Sequence, residues 1–187
     1  MRRLLPAALT TLRLLLGPVV MLCALANAPR LVYLPILIAG TLSDIFDGVL
    51  ARRLGVATPM LRRYDSVADV VYYLLVLAAV WILRKLVIIG NARAIGLLLF
   101  SEAAAIAVSF VRFRKYPATH SYLAKFYGLC LLAATIALLV YNASSWAITT
   151  LVVVAVAANA EIIVILLLAE APPVDVHSVF FMRRGGG

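Results

Sequence analysis

Long apolar runs, separated by short clusters of charged residues, proline and glycine, restrict the fold of this chain more than any other feature. An α-helix needs about 20 predominantly apolar residues to cross a bilayer. Runs of about this length lie near residues 11–27, 31–52, 64–83, 94–111, 122–141 and 146–169. We therefore predict an all-α integral membrane protein with six transmembrane helices.

The composition excludes a soluble globular enzyme. Of the 187 residues, 65% are hydrophobic and 13% are charged, and the mean hydropathy is +1.08. An average soluble domain has about 45–50% apolar and about 25% charged residues. The formal net charge of +9 comes from clusters at the ends of the apolar runs, which is typical of membrane-edge residues. We therefore expect contact with membrane lipids and no nucleic-acid partner.

The apolar runs predict one six-helix membrane domain over residues 1–170. Residues 1–10 are too short to span and contain Arg2 and Arg3, so we interpret them as a short interfacial segment and not as a cleaved signal. Residues 171–187 follow the last apolar run and are predicted to form a C-terminal tail.

The lysine and arginine residues are distributed unequally between the two sides of the six-span arrangement. One side has thirteen of them and the other has four. The larger set is Arg2, Arg3, Arg13, Arg52, Arg53, Arg62, Arg63, Arg112, Arg114, Lys115, Lys125, Arg183 and Arg184; the smaller is Arg30, Arg84, Lys85 and Arg93. The positive-inside rule then predicts that both termini are cytoplasmic, in a cell inner or plasma membrane.

Four of the eight acidic residues lie within a 26-residue stretch. Asp44 and Asp47 are spaced i, i+3 in the second span, and Asp65 and Asp69 are spaced i, i+4 in the third, so each pair shares a helix face. Antiparallel packing of the two spans brings both pairs to the same depth, on the cytoplasmic side. A carboxylate in a membrane is costly unless it faces protein, water or a cation, which makes this cluster a functional candidate.

Divalent cations offset the repulsion between four converging carboxylates most directly. Hard oxygen ligands without histidine or cysteine favour Mg²⁺ or Mn²⁺, and two such cations would form a phosphoryl-transfer site. The alternative is that the carboxylates form buried salt bridges with neighbouring arginines. The arginines considered for this pairing are Arg52, Arg53, Arg62 and Arg63.

The stretch from residue 44 to residue 69 resembles the signature of the CDP-alcohol phosphotransferases, DxxDGxxAR, then eight or nine residues, then GxxxDxxxD. The matching residues are Asp44, Asp47, Gly48, Ala51, Arg52, Asp65 and Asp69. Leu61 replaces the second glycine of the signature, a change that we expect to remodel the donor pocket and leave the metal ligands in place. The resemblance is to phosphatidylglycerophosphate and phosphatidylinositol-phosphate synthases in particular.

The resemblance implies a reaction and a set of roles. Members transfer a substituted phosphate from a CDP-linked donor, usually CDP-diacylglycerol, to the hydroxyl of an alcohol, and release CMP. The four aspartates would bind two cations, Mg²⁺ or Mn²⁺, and Asp69 would also be the general base. Gly48, Ala51 and Arg52 would bind the CDP donor. The family resemblance also implies a homodimer and a role in phospholipid biosynthesis.

The connection after the fourth span is basic and suggests an acceptor site. Arg112, Arg114 and Lys125 would suit an acceptor that carries a phosphate, such as glycerol 3-phosphate or inositol phosphate. The alternative interpretation is that these residues are ordinary cationic anchors at the ends of the spans.

Two other functions remain open from the sequence. Intramembrane aromatic prenyltransferases also use paired aspartate motifs, but they lack DGxxAR and their motifs are usually farther apart. A noncatalytic or altered-specificity member of the phosphotransferase family is the second possibility, because of Leu61.

Overall fold

A computed structural model describes residues 4–54, 58–114 and 122–169. In these ranges the elements are α1 (Leu4–Leu25), a 3-10 turn (Arg30–Val32), α2 (Tyr33–Arg53), α3 (Pro59–Gly90), α4 (Ala92–Phe113), α5 (Tyr122–Leu139) and α6 (Ser145–Leu168). Each of these six helices is long and apolar enough to cross a membrane. The prediction of an all-α protein with six spans is confirmed. The predicted tail, residues 171–187, lies outside the described residues.

Helices α1 and α3 extend several residues beyond their predicted spans. Helix α1 begins at Leu4, so the described part of the predicted interfacial segment is continuous with the first helix. Helix α3 extends to Gly90 and has non-helical backbone angles at Arg84 (φ −128°, ψ 23°). The charged residues Arg84 and Lys85 mark the predicted end of the third span, but α3 continues past them after the kink at Arg84.

The chain divides into two compact units, of which the first comprises Met1–Lys85 and Thr135–Asn142. Helix α1 packs against α2 in this unit. Helix α3 lies close to α1 at Gly17 and close to α2 at Gly40. A Cβ added at Gly17 would lie 3.3 Å from the Cα of Tyr72, and a Cβ added at Gly40 would overlap the Tyr72 ring. Small residues commonly allow such close approach between membrane helices.

Gly40 gives a direct test of this packing. We expect Gly40→Ala to lower the free energy of unfolding by about 1–3 kcal/mol, because the added methyl group overlaps the buried Tyr72 ring. The measurement is unfolding in detergent with increasing denaturant. The matched controls are Gly96→Ala and Gly128→Ala, where an added Cβ has no neighbour within 4 Å. Equal effects at all three glycines would contradict the packing.

The second unit comprises Leu86–Ala134 and Ala143–Gly187. Helices α4 and α6 pack against each other here. The Asn159 side chain is buried and its Nδ2 donates a hydrogen bond to Ser101 Oγ at 3.0 Å. Small residues of both helices, including Ala105 and Ala155, are buried. This unit is held together by close helix packing and a buried polar contact.

Large apolar side chains are exposed along the helices. Examples are Leu77, Phe100, Val111 and Val153, which are between 62% and 86% exposed. A soluble protein rarely exposes so much contiguous apolar surface, whereas lipid covers such a surface without cost. The arrangement is that of an integral membrane protein.

Candidate metal centre

The two aspartate pairs lie on helices α2 and α3, and the structure brings both pairs together in the first unit. The helical spacing places Asp44 and Asp47 on one face of α2, and Asp65 and Asp69 on one face of α3. All four carboxylates contact a single side chain of α1, that of Arg13. The convergence predicted from the sequence is present.

Arg13 is completely buried and lies between the two aspartate pairs. Its Nη1 donates to Asp44 Oδ1, and its Nη2 donates to Asp65 Oδ1 and, at 3.2 Å, to Asp47 Oδ2. Its Nε lies 3.0 Å from Asp69 Oδ1, at ion-pair distance but without hydrogen-bond alignment. The planar guanidinium has five N–H donors, which suits contact with several carboxylates at once.

Thr10 adds a hydroxyl to the same cluster. It lies one turn before Arg13 on α1 and is buried. Its Oγ1 is 3.0 Å from Asp47 Oδ2 and 3.1 Å from the Pro6 carbonyl oxygen, so its single proton can be donated to either acceptor. Helix α1 therefore contributes a cation and a hydrogen-bond donor that the sequence motif does not include.

The carboxylates have the chemistry and spacing of a cation site. One oxygen from each of Asp44, Asp47 and Asp65 lies within 4.8 Å of the others. Asp69 Oδ1 is buried and has no hydrogen-bond partner in the part of the chain that the structure describes, so a buried acceptor is left unsatisfied there. Every donor atom is a hard carboxylate oxygen, as Mg²⁺ and Mn²⁺ prefer. The residues present fit a divalent cation.

The charge in the cluster is not balanced by Arg13 alone. Four carboxylates carry up to four negative charges, and Arg13 supplies one positive charge. Among the side chains that the structure describes, Arg13 is the only cation in ion-pair contact with them. Uncompensated charge at low dielectric is strongly unfavourable. Dications would supply the missing compensation.

The alternative left open by the sequence is that the aspartates form salt bridges with Arg52, Arg53, Arg62 and Arg63. The described ion pairs to the aspartates come instead from Arg13, which the charge distribution alone marks only as an orientation signal. The Arg53 and Arg63 side chains are exposed, and those of Arg52 and Arg62 lie outside the described side chains. The signal that could have identified Arg13 was its position inside an apolar run, where a charged residue needs a partner.

Helix α3 begins at Pro59, six residues before Asp65, the first member of the second aspartate pair. The Leu61 N–H donates to Thr58 Oγ1 at 3.2 Å, and Pro59 is the first residue of the helix. A threonine N-cap followed by proline is a favoured helix start. Leu61 lies four residues before Asp65, so both share a helix face. The residue that replaces the signature glycine is thus one turn from the carboxylate cluster.

The predicted donor-binding residues lie on the last turns of α2. Gly48 is partly exposed and Ala51 is buried at 9% exposure. The Arg52 backbone belongs to α2, whereas its side chain lies outside the described side chains. Their role in binding the donor remains a prediction.

The predicted acceptor residues belong to the second unit. The Arg112 guanidinium donates to the Leu167 carbonyl oxygen near the end of α6. Arg114 ends α4 in the left-handed conformation, with φ 51°. The Lys125 ammonium lies 5.6 Å from the Tyr122 ring centroid. Arg112 and Lys125 therefore have local contacts of their own, and the acceptor role of all three residues remains a prediction.

The comparison with known families agrees with the geometry of the cluster. The sequence model of the CDP-alcohol phosphatidyltransferases matches residues 3–168. The chain belongs to this family. No curated protein and no solved structure matches the chain. The match assigns the chain to the CDP-alcohol phosphatidyltransferases and not to the aromatic prenyltransferases.

Family membership establishes the class of reaction. CDP-alcohol phosphatidyltransferases are membrane transferases that use a CDP-alcohol donor, an alcohol acceptor and divalent metals, and they transfer a phosphatidyl group in phospholipid synthesis. The match covers α1 and the helices of both units, so Arg13 and the aspartate cluster lie within the family domain.

Proposed function

We propose that this protein transfers the phosphatidyl group of CDP-diacylglycerol to the hydroxyl of a small phosphorylated alcohol, either glycerol 3-phosphate or inositol phosphate. The acceptor oxygen forms a bond to the phosphorus that bears the diacylglycerol. The bond from that phosphorus to the pyrophosphate bridging oxygen breaks, and CMP leaves. The observation that carries the proposal is the convergence of four aspartates from two helices in one cluster, three of them with oxygens within 4.8 Å of one another.

The aspartates hold the cations in this proposal. Asp44, Asp47 and Asp65 have oxygens within 4.8 Å of one another and are the principal ligands, with Asp69 beside them. When bound, two ions of Mg²⁺ or Mn²⁺ neutralise the pyrophosphate and make CMP a better leaving group. Arg13 and Thr10 fix the positions of the carboxylates from α1.

Asp69 accepts the proton of the acceptor hydroxyl. Its Oδ1 is buried beside Arg13, but the carboxylate side chain as a whole is 32% exposed, so a bound alcohol can reach it. A general base must come within hydrogen-bond distance of the proton that it removes. The other three aspartates each accept a hydrogen bond from Arg13, whereas Asp69 has only ion-pair contact with it.

The donor-binding roles come from the family signature, and the acceptor-binding roles come from the basic residues around the connection after the fourth span. Gly48 and Ala51 have small side chains and let the nucleotide approach the α2 backbone, and Arg52 binds its phosphate. Arg112, Arg114 and Lys125 bind the acceptor phosphate. We further propose that the protein is a homodimer with both termini and the aspartate cluster on the cytoplasmic side of the cell inner or plasma membrane.

CMP release from CDP-diacylglycerol tests the proposal. The purified protein in liposomes is assayed with Mg²⁺ or Mn²⁺ and one acceptor at a time: glycerol 3-phosphate, inositol phosphate, inositol, serine or choline. We expect metal-dependent release with one of the two phosphorylated acceptors. Release with inositol, serine or choline alone would overturn the acceptor assignment. The absence of release with every acceptor, from folded protein, would favour a noncatalytic or altered-specificity member.

Leu61 allows a test of the donor pocket. We expect Leu61→Gly to lower the KM for CDP-diacylglycerol several-fold with little change in kcat. The leucine side chain shares a helix face with Asp65, and its removal gives the donor more room beside the cluster. Glycine in the first turn would also destabilise α3 by about 0.5–1 kcal/mol. Leu61→Ala is the control, because it shortens the side chain to a methyl group and keeps a high helix propensity. An unchanged KM in both variants would contradict a role for this position.

A further inference from the structure

The Arg13 guanidinium contacts the same four carboxylates that are the proposed cation ligands. Its Nη2 donates to Asp47 Oδ2 of α2 and to Asp65 Oδ1 of α3, so one nitrogen joins the two helices. Its Nη1 donates to Asp44 Oδ1, and its Nε lies 3.0 Å from Asp69 Oδ1. Every carboxylate of the cluster therefore already has one oxygen in contact with a positively charged group.

The exposure of the side chains shows which groups can be reached from outside. The Arg13 side chain is 1% exposed, whereas those of Asp44, Asp65 and Asp69 are 38%, 35% and 32% exposed. A cation can therefore reach these carboxylates while Arg13 is enclosed behind them. Among the described residues, the hydrogen bonds and ion pairs of Arg13 all go to the four aspartates.

Asp47 is the carboxylate at which Arg13 and a cation conflict most directly. Its side chain is 4% exposed. Its Oδ2 has Arg13 Nη2 at 3.2 Å and Thr10 Oγ1 at 3.0 Å. The surroundings of this buried oxygen are already filled by two donor groups. Asp47 can offer Oδ2 to a cation only if the guanidinium moves away.

The charge of the cluster makes Arg13 and the cations alternatives to each other. Four ionised carboxylates carry four negative charges, and two divalent cations balance all of them. A guanidinium kept among the carboxylates would then be an unmatched buried positive charge, which is strongly unfavourable. Without cations, the carboxylates repel one another, and Arg13 supplies the positive charge that holds them together.

We propose, on the basis of the proposed function of the aspartates as cation ligands, that Arg13 is a positioning residue of the empty site. It holds the four carboxylates together in the cation-free protein and gives up these contacts when divalent cations bind. Two interactions that exclude each other weaken each other by the same factor. Arg13 therefore stabilises the empty cluster and lowers its affinity for cations.

Mn²⁺ binding to the full-length protein in neutral detergent, without donor or acceptor, tests the proposal. Electron paramagnetic resonance of the free ion gives the Kd. We expect Arg13→Gln to lower the Kd at least tenfold, because it removes both the charge and the contacts. Arg13→Lys should lower the Kd several-fold, because lysine keeps the charge but lacks the planar set of donors that contacts several carboxylates at once.

Two further variants assign the effect to the cluster. The matched control is Arg63→Gln, the same loss of charge on an exposed side chain two residues before Asp65. We expect its Kd to remain within a few-fold of wild type. Asp65→Asn should raise the Kd at least tenfold, because it removes a ligand and leaves the rest of the chain unchanged.

A Kd of Arg13→Gln equal to or above that of wild type would overturn the proposal, since a purely structural arginine would weaken cation binding when removed. An unchanged Kd in Arg13→Lys would also overturn it, because the effect would then come from charge alone. If Arg13→Gln does not fold, Arg13→Lys provides the test by itself.

The Asp65→Asn variant distinguishes failure of this proposal from failure of the proposed function. Binding that is lost in Asp65→Asn but unchanged in both Arg13 variants would refute only the role of Arg13. Binding that is the same in Asp65→Asn and wild type would show that the cations bind elsewhere. That result would overturn the role of Arg13 and the proposed cation site together.

Discussion

Asp69→Asn is expected to lower kcat about 10²- to 10⁴-fold, the usual contribution of a general base. Asparagine has nearly the same shape as aspartate but cannot accept the proton of the acceptor hydroxyl. Because Asp69 is also a proposed metal ligand, Mn²⁺ affinity must be measured beside CMP release. A large loss of kcat with a Mn²⁺ affinity within a few-fold of wild type would show that Asp69 acts as the base and that the loss does not come from weaker metal binding.

The control for Asp69→Asn is Glu102→Gln, the same change from acid to amide inside a span but outside the aspartate cluster. Glu102 lies on α4, in the second unit. We expect kcat of this variant to remain within a few-fold of wild type. Wild-type kcat in Asp69→Asn would refute the assignment of this residue as the base.

Arg13→Ala is expected to lower the free energy of unfolding by about 3–5 kcal/mol, as the loss of one partner from a buried ion pair does. The four carboxylates would then lose their contact with the completely buried guanidinium. Arg13→Lys should lower the free energy of unfolding less than Arg13→Ala, because lysine keeps the positive charge. Some loss should remain, because lysine lacks the planar set of donors. Unfolding in detergent, with and without Mg²⁺, is the measurement.

Added Mg²⁺ should restore more stability to Arg13→Ala than to wild type, because the variant has more uncompensated negative charge. The control is Arg63→Ala, since the Arg63 side chain is exposed and surface ion pairs contribute little, about 0–1 kcal/mol. A destabilisation of Arg13→Ala no larger than that of Arg63→Ala would show that Arg13 is not required to hold the aspartates together.

Much of the fold was predictable because membrane insertion depends on local composition. A run of about 20 apolar residues is sufficient to define a span, and all six predicted spans correspond to helices. The ends were less predictable. Helix α3 continues past Arg84 to Gly90 through a kink at Arg84, a local change of direction that the charge pattern does not specify.

The aspartate cluster was predictable for a related reason. Helical periodicity places each aspartate pair on one face, and the short connection between α2 and α3 makes the helices antiparallel neighbours. The family signature depends on the same spacing. The convergence of these carboxylates therefore follows from sequence positions no more than 26 residues apart.

The sequence by itself determined the membrane class, the six spans, the family and the four aspartates, because each depends on composition or on fixed local spacing. Only the tertiary structure placed Arg13 of α1 among the aspartates of α2 and α3. Those contacts join different helices, and their geometry depends on helix rotation and packing. Small residues such as Gly40 set that packing through close contact, which no periodicity in the sequence specifies.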